Sequence, residues 1–289
     1  MLHKPIFIIC IHRSGSTLLK NILNTNSKVA MATDEMYLST PFYKTFEDQF
    51  RKYNLSKDPE ILRLIDQIYR GEFKGTFWKD YKNLGIEKEK IFKEIKNSDK
   101  TLKSIISILL NEYKNKKNKY RVGAKYPLHP SRLNKLLKWY PTSKIIFLTR
   151  DIRAIIASKL NDKATKRRKE KLGIFSFIIH YFTMFFFIFD YLWFAKIVKK
   201  NRELGNCFTI KYEDLGFNTV NELKKLSNFL EIPYEQEMLR SFGKPSSHNG
   251  EIKYGFDKKR IDKWERILSS FDKFIIKLFC NKAMKRMGY

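Results

Sequence analysis

"FIICIHRSGSTLL", from Phe7 to Leu19, decides the fold. Residues 5–11 form a short apolar run rich in isoleucine, the pattern of a strand buried on both faces of a parallel sheet. A turn from His12 to Ser16 follows, and then a helical stretch from Thr17 to about Asn24. Strand, glycine turn and helix in that order aim backbone N–H groups at a single anion. A Walker A turn has the pattern G-x-x-x-x-G-K-[ST]. Gly15 and Thr17 match it, but Cys10 stands at the first glycine and Ser16 at the lysine. The cation that would reach a γ-phosphate is therefore missing. Arg13 supplies a cation earlier in the turn.

A second anion-binding stretch follows from "FLTRDIRAIIAS", Phe147–Ser158. Residues 144–149 read as another buried strand, so Arg150 stands at its carboxyl end, where open α/β sheets bind ligands. Ser158 lies about two helical turns further on, and Arg153 and Lys159 add charge. Asp151 is placed to cap this helix. The strand tip offers a cation first, not a lone magnesium-binding aspartate. Cations without a metal carboxylate suit a nucleotide bound without Mg²⁺.

The rest of the chain alternates in the same manner. Strands are expected at 120–125 and 206–211, with helices at 57–70, 98–114, 130–139, 219–230 and 271–286. Ser56 or Asp58 would cap the first of these helices and Ser98 the second. Strand–helix alternation implies an α/β fold with a central parallel sheet flanked by helices. No repeat or linker divides residues 1–289, which read as one domain. Residues 161–204 form a basic and aromatic helical insertion within it.

Composition narrows the function. A hydrophobic content of 43% excludes a disordered chain, and a formal charge of +28 draws anions. The abundance of Lys, Asn, Ile and Phe also fits compositional drift. Cys10, Cys207 and Cys280 are far apart and in no metal-ligand spacing, which argues against a disulfide framework and against a zinc site. With no signal segment ahead of the first strand, the expected compartment is the cytoplasm.

Residues 172–198, "LGIFSFIIHYFTMFFFIFDYLWFAKIV", are long enough for a membrane span and have basic flanks. His180 and Asp190 weaken a span, which would also put Ser158 and Tyr212 on opposite sides. Two readings remain: a helix buried on the sheet or against a partner subunit, or a helix lying on a membrane surface with Lys166, Arg167, Arg168, Lys199 and Lys200 at the head groups.

Together these stretches resemble the PAPS-dependent sulfotransferases over nearly the whole chain. "IHRSGSTLL" is similar to that family's 5′-phosphosulfate loop and "KIIFLTRDIRAIIAS" to its 3′-phosphate segment. "GAKYP" (Gly123–Pro127) resembles the strand near the sulfuryl group, "KYEDL" (Lys211–Leu215) a cofactor-proximal strand end, and "LSNFLEIPYE" and "MKRMGY" later family segments. The resemblance implies a P-loop NTPase-like sulfotransferase fold and PAPS as sulfuryl donor, with no metal. It implies that Arg13, Ser14, Gly15, Ser16 and Thr17 hold the 5′-phosphosulfate, and that Arg150 and Ser158 hold the 3′-phosphate. It places Tyr212 against the adenosine, and Lys125 and Arg13 at the transferring group. A last cofactor contact is expected within "NGEIKYGFDKKR", with Lys253 and Lys258 as candidates.

An acceptor hydroxyl needs a general base. In the carboxylate branch of the family this is an acidic residue after the first helix. "MATDEMYLS" offers Glu35 first and Asp34 second. Tyr126 stands where the histidine branch would place its base, and His129 is slightly late. The expected reaction is sulfuryl transfer to a hydroxyl acceptor: a sugar, a glycolipid or another alcohol. The alternatives are a P-loop kinase, opposed by the missing lysine, and a basic protein that binds polyanions or membranes. No nucleic-acid-binding motif is present, so nucleic acid is not an expected partner.

Overall fold

A computed structural model describes residues 2–32, 45–73, 76–126, 132–240 and 261–289. Its sheet consists of β1 (Ile6–Ile9), β2 (Val29–Met31), β3 (Arg121–Tyr126), β4 (Lys144–Thr149) and β5 (Cys207–Lys211). All pairings are parallel, in the order β2-β3-β1-β4-β5. Between β1 and β2 runs α1 (Ser16–Thr25). Between β2 and β3 run α2 (Phe46–Phe50), α3 (Asp58–Arg70), α4 (Thr76–Lys82), α5 (Lys88–Lys96) and α6 (Leu102–Lys116). α7 (Leu133–Trp139) leads to β4; α8 (Ile152–Leu160), α9 (Lys163–Leu172) and α10 (Ser176–Asn201) lead to β5. α11 (Tyr212–Phe217), α12 (Thr219–Leu230), α13 (Glu237–Arg240), α14 (Trp264–Ile267) and α15 (Ser270–Met287) complete the described chain.

β1 lies at the centre because it is apolar on both sides. Phe7, Ile9 and Ile11 enter one core cluster, while Ile6, Ile8 and Cys10 enter the other. β4 divides the same way, Ile145 and Phe147 against Ile146 and Leu148. Helices must therefore cover both faces, as parallel crossovers require. The α/β reading with a central parallel sheet is thus correct. The three cysteines are buried and free.

The structure corrects several sequence expectations. β2 was not anticipated, because three residues carry no period. It is held by Asn24, whose side-chain amide donates to the Met31 carbonyl at 3.0 Å and accepts from the Met31 N–H at 2.7 Å. The helix expected from 98 begins at Leu102, capped by Thr101, whose hydroxyl accepts from Ser104 N–H at 3.2 Å. Ser98 instead donates back to Ile95 and closes α5. α3 follows Lys57 with no side-chain cap.

The aromatic segment is α10, with its lead-in. Met184, Phe187, Ile188, Tyr191, Phe194 and Val198 are its buried face, anchored to the sheet where Phe194 meets Phe147 edge-on at 6.3 Å. The helix is long and apolar enough to cross a membrane. It cannot do so here, because β4 before it and β5 after it pair side by side along five residues. Phe182, Phe189 and Trp193 point outward.

Asp190 sits in the same helix, and burial raises its carboxyl from the usual 3.8 to about 6. The folded chain thus holds a proton that the unfolded chain has released. Stability falls as pH rises from the ordinary carboxylate value through about 6. Asp190→Asn is expected to stabilise the fold at pH 7 by up to about 3 kcal/mol, seen as a higher melting temperature, and to change it little near pH 4. Equal melting shifts at both pH values would rule this out.

Candidate functional site

The carboxyl ends of four strands converge. β1 delivers the turn 12–15, β3 delivers Lys125, β4 delivers Arg150, and β5 delivers Tyr212. This edge is where the strand order reverses around β1, the usual place for a ligand in an open α/β sheet.

The turn has two residues in the left-handed region, Arg13 at φ 70° and Gly15 at φ 93°. For Gly15 that conformation costs little; for Arg13 it costs about 1–2 kcal/mol. Arg13 is pinned at both ends. Arg150 Nη1 donates to its carbonyl at 2.8 Å, and its own Nε donates to Ser158 Oγ at 3.0 Å. The two stretches singled out as separate anion sites are therefore one construction, crosslinked through Arg13.

Gly15 is required for a second reason. A Cβ there would lie 2.3 Å from Cδ2 and 2.5 Å from Cε2 of Tyr212. The Tyr212 ring packs on the bare backbone of the turn, and the Arg150 guanidinium lies over that ring at 4.2 Å from its centroid. Such stacking is favourable for a guanidinium and fixes its plane.

α1 begins at Ser16 with no acidic residue in its first turn and no side-chain cap. Its N–H groups and its dipole thus favour an anion. Ser14 Oγ is buried and has no hydrogen-bond partner among the described residues. Lys125 is 6% exposed, its Nζ donating to Thr17 Oγ1 at 3.3 Å. It reaches the helix start because β3 pairs with β1 in register, Lys125 beside Ile8. A hydroxyl with no acceptor or donor, an open helix start and three basic side chains are a cradle that a phosphate-bearing cofactor fits.

Not every predicted cation joins. Arg153 turns back onto Asp151, with Nε 3.0 Å from both carboxylate oxygens, and lies over the Trp264 ring at 4.0 Å. Lys159 pairs with Asp162 at 2.7 Å. Asp151 caps α8 as expected, accepting from Arg153 N–H at 2.8 Å. Tyr126 is buried against Phe7, and burial pushes its phenol up, far from the range of a base. Glu35, Asp34, His129, Lys253 and Lys258 lie outside the described residues.

Sequence reading missed a brace behind the site. Glu213 accepts from Asp151 N–H at 3.1 Å and from the Tyr289 hydroxyl at 2.8 Å, while Tyr289 also meets Thr149 Oγ1 at 3.3 Å. This ties the ends of β4, β5 and α15 together. Burial raises the Glu213 carboxyl despite these bonds. The acid directly after the flagged Tyr212 was the available signal. Among the described residues no group of three or more His, Cys, Asp or Glu side chains could hold a metal ion.

Comparison with known proteins bears on this edge. A family model described as "Sulfotransferase family" matches residues 5–236. A Caenorhabditis briggsae protein, provisionally named a protein-tyrosine sulfotransferase, is 25% identical over 238 residues, 81% of this chain and 68% of that protein. A Caenorhabditis elegans protein of the same name is 27% identical over 124 residues, 42% of this chain and 43% of its own length. Among solved structures, the sulfotransferase domain from the curacin biosynthetic pathway superposes with a TM-score of 0.62 at 19% identity, covering 100% of this chain and 98% of that one.

Proposed function

The chain belongs to the sulfotransferase family, and from that premise we propose that it moves a sulfuryl group from PAPS to a hydroxyl acceptor by in-line displacement. The observation that carries the reading is the crosslink of the two anion-binding stretches: Arg13 to Ser158, and Arg150 to the Arg13 carbonyl. One cofactor with phosphates at two ribose positions needs both stretches at once. A triphosphate would need the absent lysine.

PAPS supplies an activated sulfuryl group on a phosphate leaving group. Ser14 Oγ, Thr17 and the N–H groups at the start of α1 hold the 5′ end. Arg150 and Ser158 hold the 3′-phosphate, and Tyr212 flanks the adenosine. A guanidinium carries five N–H donors, so Arg13 can keep Ser158 and contact an anion as well. Lys125 is the buried cation set where charge develops on the bridging oxygen. Glu35 is assigned as the base that takes the acceptor proton, with Asp34 as the second candidate; Lys253 and Lys258 are the candidates for a further contact with the cofactor. The relatives' names favour a tyrosyl phenol of a protein as a second acceptor class beside sugars and glycolipids.

A thermal-shift titration with the bisphosphate product PAP, beside ATP with Mg²⁺, tests the cofactor. Saturation at about 100 times Kd adds about 2.7 kcal/mol to stability. Arg150→Ala with Ser158→Ala should remove the PAP shift. Transfer from PAPS to tyrosyl peptides, sugars and glycolipids then identifies the acceptor, with Glu35→Gln and Asp34→Asn compared as base variants. A larger shift with Mg·ATP than with PAP would hand the site to a kinase.

A further inference from the structure

We propose that the outer face of α9, α10 and α15 docks on an anionic membrane surface. α10 is apolar on both sides. Its inner face is satisfied by the core, but its outer face presents Ile178, Phe182, Phe189 and Trp193 to solvent. Steps of four, seven and four residues place these on one stripe of the helix. Ahead of them, in the turn between α9 and α10, Ile174 is 85% exposed and Phe175 about half exposed.

α15 doubles this surface, which the sequence did not suggest. It runs parallel to α10: His180 bonds Asp272 at 2.9 Å, Phe185 meets Phe279 at 5.8 Å, and near the far ends Val198 and Arg286 line one small cavity. Its own outward stripe is Phe271, Phe274 and Leu278, all exposed. Tyr181 and Phe271 touch across the seam at 6.2 Å, so the two stripes are continuous. His180 also meets Lys169 of α9 at 3.0 Å, which joins the three helices into one unit. A phenylalanine side chain offers roughly 150–250 Å². Half-exposed rings in this number give a patch at or beyond the few hundred Å² that soluble monomers present.

Charge selects the occupant. Lys166, Arg167, Arg168 and Lys171 stand exposed on α9 at one side of the patch. At the other end both stripes turn basic, through Lys196 and Lys200 on α10 and Lys282 and Lys285 on α15. Lys199, Arg202 and Arg286 line the cavity between the helix ends. A second copy of this chain, net +28, would bring like charges together around the apolar centre. An anionic bilayer offers the reverse: acyl chains for the rings and head groups for the lysines. The pairing of β4 with β5 keeps both ends of α10 on one side, so the contact is peripheral.

Sedimentation with phosphatidylcholine vesicles, with and without phosphatidylserine, tests the proposal. Binding is expected only with phosphatidylserine, and emission from Trp193 should shift to the blue, a shift lost in Trp193→Phe. Phe182→Ser with Phe274→Ser removes one exposed ring from each stripe without opening the core. It should weaken vesicle binding at least about tenfold and leave the melting temperature unchanged. Equal binding by this variant would reduce the contact to charge alone and overturn the proposal. So would a wild-type dimer in solution that the variant dissolves, because a second copy would then own the face.

Discussion

Lys125→Ala is expected to lower kcat by about 10²–10³, with a much smaller change in affinity for PAP. The ammonium sits at the end of β3, nearly out of solvent, 3.3 Å from the hydroxyl of Thr17 at the start of α1. Holding a cation there costs several kcal/mol of desolvation unless anionic charge answers it. In the proposed transfer that charge is greatest when the bond to the leaving phosphate is breaking, so the lysine is expected to act mainly in the transition state. An interaction of that kind lowers kcat and kcat/KM together when removed. Lys125→Met keeps most of the side-chain volume and should fold and bind PAP while remaining slow. If either variant retains kcat within about fivefold, the buried lysine is structural and the charge is stabilised elsewhere. Arg13 is then the next residue to change.

The parts of this molecule legible in its sequence are those set by local pattern. β1 and β4 are continuous apolar runs, and each is followed by the chemistry it positions. Gly15 and Thr17 announce an anion turn, and the absent lysine speaks against a γ-phosphate grip. What could not be read depends on partners far along the chain. The left-handed Arg13 makes sense only once Arg150 and Ser158 are seen to hold it, from 137 and 145 residues away. Arg153 looked like a member of the site, but a neighbouring aspartate and Trp264 turn it away. β2 is too short to show a period and is made by Asn24 and β3. The aromatic segment presented two readings because composition does not say which side of a helix is covered; α10 covers one side and bares the other. α15 carried no such ambiguity in sequence, since its phenylalanines are spaced among lysines, and only its packing beside α10 turns them into a surface.

Gly15→Ala is the second large effect, and it separates a required backbone from a required charge. The substitution asks an L-residue to hold φ 93°, and it drives a Cβ to 2.3 Å from the Tyr212 ring. The ring has no easy retreat, because the Arg150 guanidinium lies over it at 4.2 Å and Arg150 also holds the Arg13 carbonyl. Relief must therefore come from the turn itself, which would swing the N–H groups of α1 off their target. Overpacking of this kind costs about 1–3 kcal/mol, and the backbone adds about 1–2 kcal/mol more. The expected result is a melting temperature lowered by several degrees and a PAP shift that is lost. Trimming the ring tests the cause. Tyr212→Ala in the Gly15→Ala background removes the clash but not the backbone penalty, so the loss of the ring should cost less there than in the wild-type chain. The coupling between the two sites should be about 0.5–3 kcal/mol, in the sense that the double variant is less damaged than the sum. Additive losses would mean that the ring and the turn do not meet as described, and the glycine would then be needed for its backbone conformation alone.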